Sequence, residues 1–450
     1  MNRSLMRRTG TLLVIGLWLL AMPLDRAVGV LEIVITEGAS DARPIAVVPF
    51  AQRDPGDGVE IAEVVRNDLA RSGRFSPVLP ESLPATPSRP EAVDFNQWRE
   101  LGVDYLVVGD VRPGNGEARV RFHLIDPYAE RALLSLGFRV VDTGLRRAAH
   151  HIADLIYEII IGEPGVFSTR IAYITVEAQG SDQPRYRLRV ADNDGFGATT
   201  VLESAQPLLS PSWSPDGRRL AYVSFESRRS AIYSQDIYSA ERRRLTSFAG
   251  INGAPAWSPD GRSLALTLSR DGNPEIYVLE VETGNLRRLT RNRAIDTEPE
   301  WLPDGSGLVF TSDRSGSPQL YRLDLGSTAS RRLTFEGDYN ASPSVSPNGS
   351  KVALVHRVDG AYRIAVLELD TRYLTLIGDG PLDESPSFAP NGQMVLYAAT
   401  DPGSGRAVLY AATVDGQTKQ RLQATTGAVR EPAWSPAQPA RGIVEQRGLE

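Results

Sequence analysis

APAWSPDG, residues 254–261, is one of six related stretches in this chain of 450 residues. The other five are SPSWSPDG from Ser210, EPEWLPDG from Glu298, SPSVSPNG from Ser342, SPSFAPNG from Ser385 and EPAWSPAQ from Glu431. The residue two places after the first proline recurs at positions 213, 257, 301, 345, 388 and 434, with spacings of 43 to 46 residues. A period of this length is typical of a four-stranded β-propeller blade.

The content of each repeat agrees with a blade. After Gly261 the segments RSLALTLS, EIYVLEV and LRRLT are joined by RDGNP and ETGN, so that with APAWS they predict four short strands. In Ser-Pro-Asp-Gly, proline fixes φ at the second position of a type I turn, and glycine adopts the left-handed conformation that closes the hairpin. The large residue after Pro-x is expected to pack between neighbouring blades.

The sixth repeat is incomplete, because Pro436 is followed by Ala-Gln instead of a turn. Its missing strands lie upstream in residues 169–204, where TRIAYIT resembles RRLAYVS at 218–224. The sequence therefore predicts two domains, a small α/β N-terminal domain followed by a six-bladed β-propeller closed by pairing of its N- and C-terminal strands. Such closure removes the exposed sheet edges that promote aggregation.

The chain divides into four predicted segments. Residues 1–29 are a signal peptide, 30–165 the α/β domain, 166–436 the propeller and 437–450 a disordered tail. In the α/β domain, buried strands are predicted at PIAVVPF (44–50) and VDYLVVGDV (103–111), and helices over Val59–Ser72, Phe95–Leu101 and Leu145–Ile161. Strands that alternate with helices indicate a layered α/β arrangement.

The first residues predict export to the periplasm. A basic start is followed by the short apolar run TLLVIGLWLLAM (11–22), and cleavage is expected near Gly29 after AVG. An uncleaved anchor is the alternative. Cleavage would remove four arginines and one aspartate, which changes the formal charge from −6 to −9. An acidic product is a poor nucleic-acid ligand, and a chain without cysteine has neither disulfides nor thiolate metal sites.

Two candidate binding regions follow from the predicted architecture. The segments that precede each Pro-x-Trp arrive at one mouth of the propeller channel, where mixed polar and acidic groups can bind an extended peptide. They contain Ser210, Ile251, Asn252, Ala254, Thr297, Glu298, Asn340, Ala341, Asp383, Glu384, Arg430 and Glu431. The alternative is that these are ordinary turn and strand residues. The second region is VLEIVITEG (30–38), a β-prone segment that can pair with its own domain or with a partner's sheet edge.

The whole pattern resembles the TolB family of the Tol–Pal system. The resemblance rests on the six repeats, the α/β domain near RPIAVVPF, and the phrases GEPGVFSTRIAYIT, VADNDG, INGAPAW and IDTEPEW in that order. It implies a non-enzymatic periplasmic protein without cofactor, monomeric within a hetero-complex, that maintains outer-membrane integrity and supports envelope constriction in cell division. Colicins and other outer-membrane proteins are further partners that it implies.

The resemblance also implies partners for both regions. It places the lipoprotein Pal at the channel mouth, most clearly at Ile251, Ala254, Thr297 and Glu298, although the family often has histidine where Ile251 stands. The protein TolA is expected to bind the N-terminal segment. The residues implied are Leu31, Glu32, Ile33, Val34, Ile35 and Thr36.

Two other functions are weighed against a protein-binding scaffold, namely a channel-sited hydrolase or lyase and a propeller that binds a small ligand or sugar. No G-x-S-x-G, P-loop or G-x-G-x-x-G sequence is present. His150 and His151 are expected to be surface or packing residues. Asp192-Asn193-Asp194-Gly195 is expected to be a hairpin turn, because it lacks the ligand spacing of a calcium loop. No metal site is therefore predicted.

Overall fold

A computed structural model describes residues 33–35, 42–52, 61–114, 116–141, 144–178, 180, 183–327, 329–422, 427–437 and 443–446. Residues 31–450 form one compact unit. The predicted signal peptide, residues 1–29, lies outside the described residues, as do Leu31, Glu32 and Thr36 of the N-terminal segment. No helix among the residues described here is long and apolar enough to cross a membrane.

The N-terminal domain is a mixed sheet with helices on it. After β1 (Ile33–Ile35), its strands are β2 (Arg43–Val47), β3 (Ala51–Gln52), β4 (Phe75–Pro77), β5 (Tyr105–Pro113), β6 (Glu117–Asp126) and β7 (Arg131–Val141). The helices are α1 (Ile61–Arg71), α2 (Phe95–Glu100) and α3 (Leu145–Ile161), with 3₁₀ turns at Pro80–Ser82 and Pro90–Ala92. The sheet order is β7-β6-β5-β2-β4, in which β2 is parallel to β4 and β5.

Helices α1 and α3 cover one face of this sheet. Their apolar residues recur at helical spacing, and Val65, Leu69, Ile152 and Ile156 are completely buried in the core that they form with β5, β6 and β7. Gly162 caps the C-terminus of helix α3. Its φ is 84°, and its N–H donates to the carbonyl oxygen of Glu158. The predicted helices are therefore confirmed.

Six sheets form the propeller, each with four strands from residues 170–434, and β1 adds a fifth strand to the sheet of blade 6. Blade 1 has β8 (Arg170–Glu177), β9 (Arg185–Asp192), β10 (Thr199–Ser204) and β31 (Ala428–Trp434). Blade 2 has β11 (Leu208–Trp213), β12 (Arg219–Ser224), β13 (Ala231–Asp236) and β14 (Arg242–Thr246). Blade 3 has β15 (Asn252–Trp257), β16 (Ser263–Leu268), β17 (Glu275–Glu280) and β18 (Leu286–Arg288).

The remaining blades have the same plan. Blade 4 has β19 (Asp296–Trp301), β20 (Gly307–Ser312), β21 (Gln319–Asp324) and β22 (Ser330–Arg332). Blade 5 has β23 (Asn340–Val345), β24 (Lys351–Val358), β25 (Ala361–Glu368) and β26 (Leu374–Leu376). Blade 6 has β27 (Asp383–Phe388), β28 (Met394–Thr400), β29 (Ala407–Thr413) and β30 (Thr418–Arg421).

The repeat residues act as the sequence predicts. In each Pro-Asp-Gly or Pro-Asn-Gly turn the glycine is left-handed, and the Gly261 N–H donates to the Ser258 carbonyl oxygen at 2.8 Å. The large residues pack between blades. Trp213 of blade 2 donates its indole N–H to the carbonyl oxygen of Ala433 in blade 1, and Trp301 of blade 4 does the same to Ala256 of blade 3, both at 3.1 Å.

The ring closes with a strand from the far end of the chain. Strand β31 pairs antiparallel with β8, so that Trp434 lies opposite Ile171 and Val429 opposite Thr175. The Trp434 indole N–H also donates to the Thr169 hydroxyl at 2.7 Å. Closure of a six-bladed propeller by its terminal strands is therefore confirmed.

Two terminal segments differ from expectation. The predicted disordered tail is wrong for Val444–Gln446, which form strand β32 and pair with the edge of β7, where Val444 lies opposite Arg139. The described part of the N-terminal segment, Ile33–Ile35, forms β1 and adds to blade 6 instead of its own domain, with Ile33 opposite Gln420 and Ile35 opposite Thr418. In both cases an open sheet edge offers unpaired backbone groups that a short β-prone segment can satisfy.

Candidate functional site

The propeller channel has two unlike ends. All six innermost strands begin at one end, which we call the mouth, and finish at the other, which carries the proline-containing turns and which we call the turn end. The N-terminal domain contacts the turn end, where the Asn391 side-chain amide donates to the Pro164 carbonyl oxygen at 3.1 Å. The mouth is the end that this contact leaves open.

Each innermost strand has a bulge just inside the mouth. The residue before the proline is left-handed in all six blades, with φ between 47° and 55°. These residues are Ser210, Ala254, Glu298, Ser342, Ser385 and Glu431. The strand register shifts at the same place in every blade. A left-handed non-glycine residue costs roughly 1–2 kcal/mol, so the surrounding propeller holds six strained residues around the channel.

Two of these strained residues are acids that join neighbouring blades. The Glu298 carboxylate of blade 4 accepts hydrogen bonds from the Ser342 backbone N–H and hydroxyl of blade 5, both at 2.9 Å, and from the Thr311 hydroxyl at 2.8 Å. The Glu431 carboxylate of blade 1 accepts a hydrogen bond from the Ser210 N–H of blade 2. Both acids therefore connect neighbouring blades through hydrogen bonds, and both also line the channel.

Burial in the channel raises the pKa of three acids that line it, Glu300, Glu384 and Glu431. Burial raises the pKa of Glu300 to about 8. For Glu431, burial raises the pKa to about 7, against the opposing hydrogen bond from Ser210. Burial also raises the pKa of Glu384, although nearby Arg430 acts in the other direction. At neutral pH the interior of the channel is consequently less negative than its acid count indicates.

The structure brings half of the twelve predicted mouth residues together. A cavity of about 660 Å³ is lined by Ser210, Ala254, Glu298, Asp383, Glu384 and Glu431. Ile251 and Asn252 line a separate cavity of about 420 Å³ between blades 2 and 3, which Ser210 also borders. Thr297 and Arg430 are half-buried beside the channel and do not line either cavity.

Several predicted mouth residues are buried. Asn252, Asn340 and Asp383 are 1 % exposed or less, and Ala341 is 2 % exposed. The Asn252 amide donates to the carbonyl oxygen of Phe248 at 2.8 Å, and the Asn340 amide donates to Gln319 and Glu336 at 2.9 and 2.7 Å. These two asparagines hold the loops that enter the innermost strands. They support the mouth but do not offer their side chains to a partner.

An apolar rim was missed from the sequence. The residues that directly precede the innermost strands of blades 3 to 6 are Ile251, Ile295, Tyr339 and Leu382. Ile251, Ile295 and Leu382 are between 47 % and 49 % exposed, and Tyr339 packs edge-on against Tyr362 with ring centroids 5.1 Å apart. The spacing of 44 residues that placed Ile251 also places Ile295 and Tyr339, so the signal was present. Exposed apolar residues grouped on one rim are typical of a protein-binding surface.

Metal chemistry at the mouth finds no support in the described residues. Within those residues, the acids of the channel do not converge with two further histidine, aspartate or glutamate groups at ligand distance, and the one such group lies at the turn end. The channel thus combines structural acids with an apolar rim.

Family models match both domains of the chain. The TolB beta propeller domain matches residues 157–438, and the TolB amino-terminal domain matches residues 31–133.

Curated relatives align with this chain over most of its length. The Tol-Pal system protein TolB of Thioalkalivibrio sulfidiphilus is 59 % identical over 90 % of this chain and 94 % of its own length. That of Nitrosococcus oceani is 56 % identical over 94 % of this chain and 97 % of its own length. The crystal structure of TolB from Acinetobacter baumannii superposes with a TM-score of 0.83 at 41 % identity, covering 90 % of this chain and all of that one. The chain therefore belongs to the TolB family of Tol–Pal system proteins.

Proposed function

We propose that this protein is a non-enzymatic periplasmic scaffold of the Tol–Pal system that binds Pal at the propeller mouth and TolA through its N-terminal segment. In this role it maintains outer-membrane integrity and supports envelope constriction during cell division. Export would follow from cleavage of the signal peptide near Gly29. The observation that carries the proposal is the open, apolar-rimmed mouth on a chain that is 59 % identical to a named Tol-Pal system protein.

The mouth suits a protein partner for a physical reason. Ile251, Ile295 and Leu382 are each about half exposed on blades 3, 4 and 6, and the half-buried Tyr339 of blade 5 lies between the last two, so that a partner can bury a continuous apolar strip. Inside that strip, Ser210 and Glu384 offer polar atoms on the wall of the cavity. An apolar rim around a polar centre supports a folded or extended polypeptide rather than a metal or a nucleotide.

The pairing of the N-terminal segment supports a partner that competes with blade 6 for the backbone groups of β1. Among the described residues of the segment, Ile33–Ile35 pair with β30, and a strand of three residues contributes few backbone hydrogen bonds. A TolA sheet edge can take the same backbone groups once the segment leaves blade 6. Binding would then shift a population between docked and free forms of residues 30–38.

A ligand-binding propeller is a second candidate that one observation favours. Such a function calls for aromatic side chains at the mouth, and both Tyr339 and Tyr362 line the cavity of about 660 Å³. The two rings pack against each other edge-on, which reduces the flat face left for a sugar. This contact makes the protein-binding role the better supported of the two.

Copurification tests the Pal arm. The mature protein and the Pal lipoprotein domain from the same envelope should form a complex at micromolar concentration. Ile251→Ser should weaken it about tenfold, because the substitution removes an apolar contact of the kind that dominates interfaces. Ile159→Ser is the matched control, since Ile159 on α3 is equally exposed at 49 %. Equal loss in both variants, or no complex with the wild type, would refute the Pal site.

A deletion tests the TolA arm. Removal of residues 30–38 should abolish binding of TolA and leave the affinity for Pal within about threefold of wild type. Ile251→Ser should show the reverse pattern. Retention of TolA binding by the deleted protein would contradict the assignment, whatever the result for Pal.

A further inference from the structure

Two motifs that carry no predicted site converge at the turn end. His150 lies on α3, and Asp192 and Asp194 flank the turn after β9 in blade 1, where the Gly195 N–H donates to the Asp192 carbonyl oxygen at 2.8 Å. The prediction that residues 192–195 form a hairpin turn is confirmed, because β9 and β10 pair antiparallel. Of the two roles expected for His150, the surface role is wrong, because His150 is 2 % exposed and is packed within a group of charged side chains.

The three side chains present ligand atoms to one another. One imidazole nitrogen of His150 and one oxygen of each aspartate all lie within 4.8 Å of one another. The His150 Nε2 atom is 3.9 Å from Asp192 Oδ2. Two ligands of a tetrahedral zinc ion lie about 3.3 Å apart, so a movement of about half an ångström would bring this pair to coordination distance.

Asp68 fixes the direction of the imidazole lone pair. Its Oδ2 atom lies 2.6 Å from His150 Nδ1, while its Oδ1 atom accepts a hydrogen bond from Arg71 at 2.7 Å. A carboxylate paired with arginine is an acceptor, so Nδ1 carries the proton and donates it. In the neutral ring the lone pair then lies on Nε2 and faces the two aspartates. A carboxylate that orients a histidine from behind is the usual support of a metal ligand.

Among the residues that the structure describes, none forms a hydrogen bond with the His150 Nε2 atom, although the ring is buried. A buried acceptor without a partner is destabilising, and two carboxylates beside it add repulsion. Arg146 offsets part of that charge through an ion pair with Asp194 and an Nε–Oδ2 distance of 3.5 Å to Asp192. Arg71 pairs with Asp68, and Arg170 also acts on Asp192. Three guanidinium groups therefore face three carboxylates, and the acceptor of the cluster left unsatisfied is the His150 Nε2 atom.

We propose that His150, Asp192 and Asp194 form a binding site for a divalent transition metal ion of the zinc type, which joins α3 of the N-terminal domain to blade 1 of the propeller. One nitrogen and two oxygen ligands suit zinc and leave a fourth position for water. Asp192 is the most accessible of the three, with 38 % of its side chain exposed, so it marks the route by which the ion enters.

Calorimetry with zinc chloride tests the site on the full mature protein without an affinity tag. We expect one zinc ion per chain, a rise in melting temperature with zinc and no rise with magnesium chloride. Asp192→Asn should weaken zinc binding at least tenfold while the protein stays folded, because the Asp192 side chain is partly exposed. Cobalt substitution should give a visible absorption band that the variant lacks.

The control is the neighbouring histidine. His151→Gln should bind zinc as the wild type does, since His151 packs on Phe138 with ring centroids 5.4 Å apart and lies outside the cluster. Absence of zinc binding, or equal binding by Asp192→Asn and wild type, would overturn the proposal. If acidic pH raises the melting temperature and zinc does not, a proton and not a metal ion occupies the cluster. That result would also overturn the proposal.

Discussion

The two ends of the propeller channel repeat their backbone from blade to blade, with a bulge in all six blades at the mouth and a glycine turn in five at the turn end, and they differ in what the side chains do. At the turn end the repeats are nearly identical, and the glycine N–H of residues 217, 261 and 305 donates across the same turn at 2.8 to 2.9 Å. At the mouth the same bulge carries Ser210 in one blade, Ala254 in the next and Glu298 in a third. The repeated backbone therefore maintains the ring, while the side chains at the mouth can vary from blade to blade to suit a partner.

The largest effect is expected from opening the ring. A chain that stops before Glu431 loses most of β31 and the Trp434 contacts between blades 1 and 6. Loss of a buried tryptophan alone costs about 3–5 kcal/mol, and blade 1 then has an exposed edge. Calorimetric unfolding should show a sharp fall in melting temperature. An unchanged value would mean that the two ends do not belong to one closed ring.

A smaller effect tests whether the acids at the mouth are structural. Glu298→Ala removes three hydrogen bonds from blades 4 and 5 and should lower the free energy of unfolding by about 2–3 kcal/mol. Glu298→Gln should lower it by less, because the amide oxygen still accepts. Denaturant unfolding measures both. Equal stability of all three proteins would show that Glu298 does not stabilise the ring.

Glu300 gives a pH test of the channel interior. Its folded pKa of about 8 lies above the ordinary value of 4.5, so the folded protein holds a proton that the unfolded chain releases, and stability falls as pH rises between those values. Glu300→Gln should match the wild type at pH 5 and exceed it by about 1–2 kcal/mol at pH 8.5, since partial solvent contact reduces the full shift.

Thermal unfolding across this pH range measures the difference between the two proteins. A constant difference at all pH values would show that Glu300 is as hydrated as an exposed acid, and the interior of the channel would then resemble its mouth.

The smallest effect on stability is expected at the rim itself. Ile251→Ser removes a side chain that is 49 % exposed and should change the free energy of unfolding by less than about 0.5 kcal/mol. Differential scanning calorimetry should therefore find the variant close to wild type, although its affinity for Pal falls. A large destabilisation would place Ile251 with the structural residues.

The sequence determined the ring well because its evidence is periodic. Spacings of 43 to 46 residues and a glycine turn in five of the repeats predicted six blades, and the incomplete sixth repeat predicted the closing strand. The mouth was predicted only in part, because alternation along a strand cannot show which side chain a bulge turns inward. Ile295 and Tyr339 were missed although they share the period of Ile251.

The two terminal strands and the cluster around His150 could not be predicted, for a different reason. Strands β1 and β32 have only three residues each, so neither contains a pattern that specifies a partner edge. The cluster around His150 joins residues 68, 150, 192 and 194 from two domains. No spacing within one element connects such residues, because their contact depends on how the domains pack.

Hydrogen exchange with and without Pal tests the central claim, that the mouth and not the turn end is the binding surface. The account predicts new protection in residues 251–254, 295–298, 339–342 and 382–385, with no change in the turns at 214–217 and 258–261. Protection of those turns, with the four mouth segments unchanged, would contradict it.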